Sequence, residues 1–210
     1  MGFYNFKAPS LPLQPFEYSQ DEINHFANVL RLYFNQLDSA FLNLAGKTGG
    51  AALQFPYGSF YDTTTHTAAV INTAYPLTIN TTLTHNNIDI DPTYTSRLVV
   101  AIKGVYNFQV SLQTTNNSMT GTSGYIWVWG RVNGVDLPYS ATKLEISGTV
   151  PDEMAYADSF VAQMNASDYF ELVWATNNLD CVILSQGATS FCPAVNSINI
   201  TATCVSAVYA

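Results

Sequence analysis

Apolar residues recur at Ile23, Phe26, Leu30, Tyr33, Leu37, Ala40 and Leu44, the alternating three-four spacing of a heptad seam. A second row, Ala27, Phe34 and Phe41, widens the stripe. Just before it, Ser19-Gln20-Asp21-Glu22 has the S-x-x-E form of a capping box, and Gly46 followed by Lys47-Thr48-Gly49-Gly50 supplies a stop and a hinge. The pattern predicts an amphipathic helix over 19–46 and a linker over 47–54. A face this broad suits a bundle or trimer; the alternative is one helix lying on a domain. Upstream, Pro9, Pro12 and Pro15 stand between apolar residues and disfavour both helix and central strand, so 1–18 is expected to be an extended arm.

From residue 55 to 210 the period changes to two. Short alternating or wholly apolar runs, separated by turn residues, predict strands near Gly58–Asp62, Tyr75–Ile79, Ile88–Ile90, Arg97–Lys103, Gly104–Gln113, Tyr125–Val132, Leu144–Ile146, Ala155–Met164, Tyr169–Trp174, Cys181–Leu184 and Ser197–Val205. Asn133-Gly134 and Gly121-Thr122-Ser123-Gly124 read as turns. The expected architecture is mainly β, an antiparallel sandwich of Greek-key type preceded by the arm and one helix.

Two strands carry more than their position. In Tyr106-Asn107-Phe108-Gln109-Val110-Ser111-Leu112 the odd-numbered residues are polar, so Tyr106, Phe108, Val110 and Leu112 should face a core. In Tyr125-Ile126-Trp127-Val128-Trp129 both faces are apolar, although a sandwich strand has only one side toward its own core. A loop, the helix or an identical neighbour must cover the second side, and burial of two tryptophans favours the neighbour.

Composition narrows the function. The 210-residue chain is 48% hydrophobic and 13% aromatic but only 10% charged, against roughly 25% for ordinary soluble domains. Fifteen acids against seven bases give a net charge of −8, which would repel a phosphate backbone and argues against nucleic acid as a partner. No run approaches the 18 or so apolar residues of a membrane helix, and Met1 to Pro12 lacks the features of a signal peptide, so the expectation is a soluble protein made inside the cell, without membrane insertion. Cys181, Cys192 and Cys204 are odd in number and lack C-x-x-C spacing, which reads as free buried thiols.

Catalytic signatures are missing. His25, His66 and His85 have no metal-binding spacing, with His25 read as an exposed helix residue and the others as loop residues. No nucleophile elbow, phosphate loop or dinucleotide fingerprint occurs, and no cofactor is expected. Asp89 and Asp91 would share one side of an extended segment, as an acid–base or cation-ligand pair or, more simply, as a solvated face. Asp152-Glu153 reads as a charged loop and Asp168 as a turn residue. Tyr57, Tyr75, Tyr94, Tyr139 and Tyr156 are candidate sugar-stacking aromatics, with packing of Tyr139 and Tyr156 beside strands as the plainer alternative.

Several segments in order, Gly58-Ser59-Phe60-Tyr61-Asp62, Gly104 to Gln113, Ile126-Trp127-Val128-Trp129-Gly130-Arg131-Val132-Asn133-Gly134, Pro138-Tyr139-Ser140 and Asp168 to Trp174, resemble a jelly-roll domain of tailed-bacteriophage virion proteins. That domain is similar in layout to the tumour necrosis factor and complement globular-head superfamily. Leu30 to Asp38 likewise resembles a segment of cyanophage structural proteins. Two departures, Trp129-Gly130 before Asn-Gly and Cys192-Pro193 before the last strand, leave surface function open. The resemblance implies a non-enzymatic homotrimer located in the virion, with a jelly roll over 55–210 and N-terminal segments anchored on the particle. The expected trimer contacts are Ile23, Phe26, Leu30, Tyr33, Leu37, Trp127 and Trp129, and the expected docking residues on a phage capsid or tail protein are Phe3, Tyr4, Phe6, Leu11 and Leu13. The chain's length tilts the expectation toward a capsid decoration, or cement, protein. The alternative is a short head or tail fibre module that binds host-surface glycans.

Overall fold

The computed structural model describes residue 10 and residues 19–45, 55–148 and 152–207. Apart from residue 10, the expected arm, with its docking residues Phe3, Tyr4, Phe6, Leu11 and Leu13, and the Gly46–Gly50 hinge lie outside these. The chain divides into two units, Met1–Gln54 and Phe55–Ala210. In the first, helix α1 spans Gln20–Ala45, and the Ser19 carbonyl accepts the Ile23 N–H at 3.2 Å, which puts Ser19 at the N-cap. Asp21 and Glu22 occupy the first turn, where the helix dipole favours negative charge. Phe26, Val29, Leu30, Tyr33, Leu37 and Ala40 are half-buried along one stripe, while Leu32, Phe34 and Phe41 are exposed. No helix among the described residues is long and apolar enough to cross a membrane.

The second unit is an antiparallel jelly-roll sandwich. Its strands in chain order are β1 (Tyr57–Asp62), β2 (Tyr75–Pro76), β3 (Thr81–Asn86), β4 (Ile88–Ile90), β5 (Arg97–Val100), β6 (Gly104–Asn116), β7 (Gly121–Val132), β8 (Val135–Asp136), β9 (Thr142–Gly148), β10 (Asp152–Met164), β11 (Tyr169–Thr176), β12 (Cys181–Ile183) and β13 (Ile198–Ala207). The first sheet runs β10-β6-β13-β1-β3, with β12 continuing beside β6; the second runs β4-β5-β11-β7-β8, with β2 beside β11 and β9 beside β7. Successive long strands alternate between the sheets, so β1 ends beside β13 and β5 beside β11, the nested closure of a jelly roll.

The core follows from the period of two. Tyr106, Phe108, Val110 and Leu112 of β6 are buried as their alternation predicts, and they meet Leu98, Ile126, Val128, Phe170, Leu172 and Trp174 of the second sheet. Burial pushes the Tyr106 phenol up to about 12, and its hydroxyl donates to the Ile102 carbonyl.

Four local expectations are corrected. Asp152-Glu153 opens β10, paired with Asn116 and Thr115, and is not a loop. Gly121-Thr122-Ser123-Gly124 is the start of β7 rather than a turn, because Gly121 pairs with Gly148 across a contact too close for a Cβ. Strand β3, Thr-Thr-Leu-Thr-His-Asn, was not expected: it lies at a sheet edge with no buried side chain, so no hydrophobic alternation marks it. Cys181 is buried, but Cys192 is exposed and Cys204 half-buried; all three are free. Asn133-Gly134 is the expected hairpin turn, with φ of 51° and 79° at its two residues.

Candidate functional site

The outer face of the second sheet is aromatic. On β7 the core takes Ile126 and Val128, so the pleat turns Tyr125, Trp127, Trp129 and Arg131 outward, where each is half-buried. Trp127 pairs with Lys143 of β9 on one side and with Ala175 of β11 on the other. The Lys143 ammonium lies 3.7 Å from the Tyr125 ring centroid and 5.6 Å from that of Trp127, and caps this end of the row. At the other end the Asn133-Gly134 turn sets Asp136 opposite Arg131. Asp136 Oδ1 accepts both Trp129 Nε1 and Arg131 Nε at 2.8 Å. Those two donors hold the Asp136 carboxyl below the usual range.

The loop after β8 folds back over this row. Leu137 N–H donates to the Gly130 carbonyl at 3.0 Å, Ser140 Oγ donates to the Leu137 carbonyl at 2.8 Å, and Gly130 N–H donates to Ser140 Oγ at 3.3 Å. Tyr139, at the apex, has φ of 58° and a fully exposed side chain. Asn72 arrives from a distant loop whose backbone is tied to β11, its N–H bonded to the Thr176 carbonyl at 2.7 Å. Together Asn72, Trp127, Trp129, Asp136, Leu137, Tyr139, Ala141 and Ala175 line an open concavity of about 420 Å³.

A second hollow, about 490 Å³, is lined by Asp62, Thr64, Asn80, Asp91 and Thr95 together with Ile79, Ile90 and Pro92. Its carboxylates are engaged by their own turns. Asp62, buried, accepts the Thr64 N–H and hydroxyl and lies 3.6 Å from His66 Nε2. Asp91 Oδ1 accepts the N–H groups of Thr93 and Tyr94 at 2.8 and 3.0 Å, which lowers its carboxyl below the usual range. Asp89 is paired instead with His85 at 2.8 Å. Among the described residues no group of three His, Cys, Asp or Glu converges as a metal site.

The expected trimer contacts are divided between the two units. Ile23, Phe26, Leu30, Tyr33 and Leu37 share one stripe of α1, and Trp127 and Trp129 share the outer face of the second sheet. Of the five tyrosines considered for sugar stacking, only Tyr139 joins the tryptophans. Tyr156 is core, its hydroxyl bonded to Asp158. Tyr75 packs at a tilt on Trp174, Tyr94 stacks on Arg97, and Tyr57 lies on the first sheet. His66 lies in the loop after β1, bridged to Ile183 and largely shielded, while His85 is corrected from a loop residue to one on β3. Asp168 is the expected turn residue, accepting Asn165 N–H and Asn133 Nδ2. Asp136 and Asn72 were not anticipated. A two-residue Asn-Gly turn dictates the Arg131–Asp136 register, so Asp136 was within reach of sequence reasoning; Asn72 was not.

The first sheet's outer face differs in kind. Register places Tyr57–Thr203–Asn107–Val161, Ser59–Thr201–Gln109–Ser159 and Tyr61–Asn199–Ser111–Ala157 in three rows across β1, β13, β6 and β10. None of these twelve side chains is charged or buried. Asn107 Oδ1 is shielded there without a hydrogen-bond partner.

No protein-family model and no curated protein matches the sequence.

Proposed function

We propose that the protein is a non-enzymatic structural component of a tailed-bacteriophage virion, a homotrimer that decorates the capsid. The observation that carries the assembly reading is the charge-free twelve-residue field on the outer face of the first sheet. Interface cores are depleted of charge, and this field of small polar, aromatic and aliphatic side chains carries none. The shielded Asn107 Oδ1 is an acceptor that a neighbouring chain's donor would satisfy. This reading assigns the β-domain contact to that face in place of Trp127 and Trp129. The helix stripe of Ile23, Phe26, Leu30, Tyr33 and Leu37 supplies a second contact with its own copies. The virion assignment rests on the resemblance of the β-strand segments to phage jelly rolls and agrees with the fold.

Such a trimer acts mechanically: apolar and neutral surface buried at three contacts raises the cost of opening a shell it clamps. Light scattering on the full chain tests the assembly. The expected mass is three times the 23.0 kDa chain, and Gln109→Arg, which sets a charge at the centre of the face, should weaken the trimer so that its mass falls on dilution while that of the native chain does not. A monomeric native chain would overturn the reading, and a variant trimer that withstands dilution as the native one does would move the contact off this face.

A second reading, a short head or tail fibre module that binds host-surface glycan, is favoured by the aromatic concavity on the other sheet.

A further inference from the structure

We propose that the concavity walled by Trp127, Trp129 and Tyr139 and edged by Asp136 and Asn72 is a binding site for a neutral pyranose glycan. The inference deepens the fibre-module reading, and it does not depend on how many chains assemble.

Three features distinguish this surface from an ordinary exposed patch. First, both indoles, each half-buried, line the concavity, bordered there by Leu137 and by Ala141 and Ala175, which are too small to cover a ring. The C–H face of a pyranose packs on such a ring, and its hydroxyls stay at the edge. Second, the rings are held before any ligand arrives. Trp129 is fixed by its 2.8 Å bond to Asp136, and Trp127 stands beside Tyr125 at 5.9 Å between centroids. A pre-set platform loses little entropy on binding. Third, Tyr139 has φ of 58°, a region that bulky L-residues rarely enter, in a loop clamped to Gly130 by its neighbours. The strained backbone holds a phenol in solvent, where it contributes nothing to the core.

Polar groups match hydroxyls. Asp136 Oδ2 takes no part in the bonds to Trp129 and Arg131, and the Asn72 amide and Tyr139 hydroxyl add donors and acceptors at the rim. Asp136 is ion-paired with Arg131 and Lys143 caps the far end of the row, so the preference for neutral glycans over sialylated, sulfated or uronic ones rests on the chain's net charge of −8. A volume of about 420 Å³ is within the range of small-molecule clefts.

The test uses the full chain on a printed array of neutral hexose and N-acetylhexosamine oligosaccharides with acidic glycans alongside, followed by titration of the strongest neutral ligand against tryptophan fluorescence. Binding to neutral glycans with a saturable fluorescence change is expected. Tyr139→Ala, at a fully exposed position, should keep the native melting temperature and weaken binding about tenfold, and Trp127→Ala should weaken it further. A blank array, binding confined to acidic glycans, or undiminished affinity in both variants would overturn the proposal. So would a change of solution mass in Tyr139→Ala, which would give the concavity to a second copy of the chain. The Gln109→Arg variant, altered on the other sheet, should bind glycan as the native chain does, so failure of the trimer and failure of the glycan site are separately visible.

Discussion

Phe108 of β6 and Phe170 of β11 stack with ring centroids 4.1 Å apart and planes 7° from parallel, joining the two sheets at the centre of the sandwich. Phe160 of β10 and Tyr106 extend this stack, at 5.8 Å from Phe170 and 6.3 Å from Phe108 respectively. The sheets are therefore held by a continuous aromatic layer as well as by aliphatic packing. Phe170→Ala should remove about 3–5 kcal/mol of stability, read from the denaturant midpoint at an unchanged slope. A loss below about 1 kcal/mol would mean that the core repacks around the gap.

His66 couples stability to pH. Burial is the largest influence on it and lowers its pKa; the Asp62 carboxylate at 3.6 Å raises it, but by less. A histidine whose folded pKa is depressed contributes stability that is fully present above the unfolded value of about 6.5. That contribution is lost as pH falls from there toward the folded pKa, at up to about 1.4 kcal/mol per pH unit. The melting temperature should fall between pH 7 and 5, and His66→Gln should flatten that fall. A native profile that does not change across this interval would refute the assignment.

Arg97 lies between the rings of Tyr94 and Tyr169, 4.1 and 4.2 Å from their centroids, and its Nε is 3.3 Å from Glu171 Oε1. Ser96 Oγ donates to the same oxygen at 2.9 Å, so this buried carboxylate is satisfied from two sides. Glu171→Ala should cost about 2 kcal/mol, less than a fully buried pair because the Arg97 side chain is 27% exposed. Combined with Arg97→Met it should cost less than the sum of the two changes. Additive losses in a double-mutant cycle would show that the pair is not coupled.

Gly148 and Gly121 pair where β9 meets β7, and a Cβ at Gly148 would run into the Gly121 backbone. Gly148→Ala should cost about 1–3 kcal/mol, whereas alanine at Gly187, which has open space around it, should cost well under 1. Equal melting temperatures for the two variants would contradict the close approach.

Much of the fold is legible in the chain because a strand's pleat imposes a period of two. Tyr106 to Leu112 shows this alternation without interruption, and the residues it assigns to the core are those that fill it. Edge strand β3 escapes the same reading: with both faces wet, only Leu83 is apolar and nothing selects a register. Gly121-Thr122-Ser123-Gly124 misleads for a related reason. Glycine serves a turn and a close strand pair equally well, and the difference lies in Gly148, which is remote in sequence.

The site divides in the same way. Its tryptophans are visible as an anomaly, a strand apolar on both faces, and the hairpin turn that places Asp136 is written locally as Asn-Gly. The helix, the alternation of the half-buried strands and the Asn-Gly turn are decided by neighbours within a few residues, and the sequence alone determines them. Which face of each sheet stays open, which side chains border it and where charge is absent depend on strands brought together from positions as far apart in the chain as Tyr57 and Thr203. Asn72 and Ala175 meet beside Trp127, and Ser59, Thr201, Gln109 and Ser159 align in one neutral row, only because the jelly-roll closure sets their strands side by side.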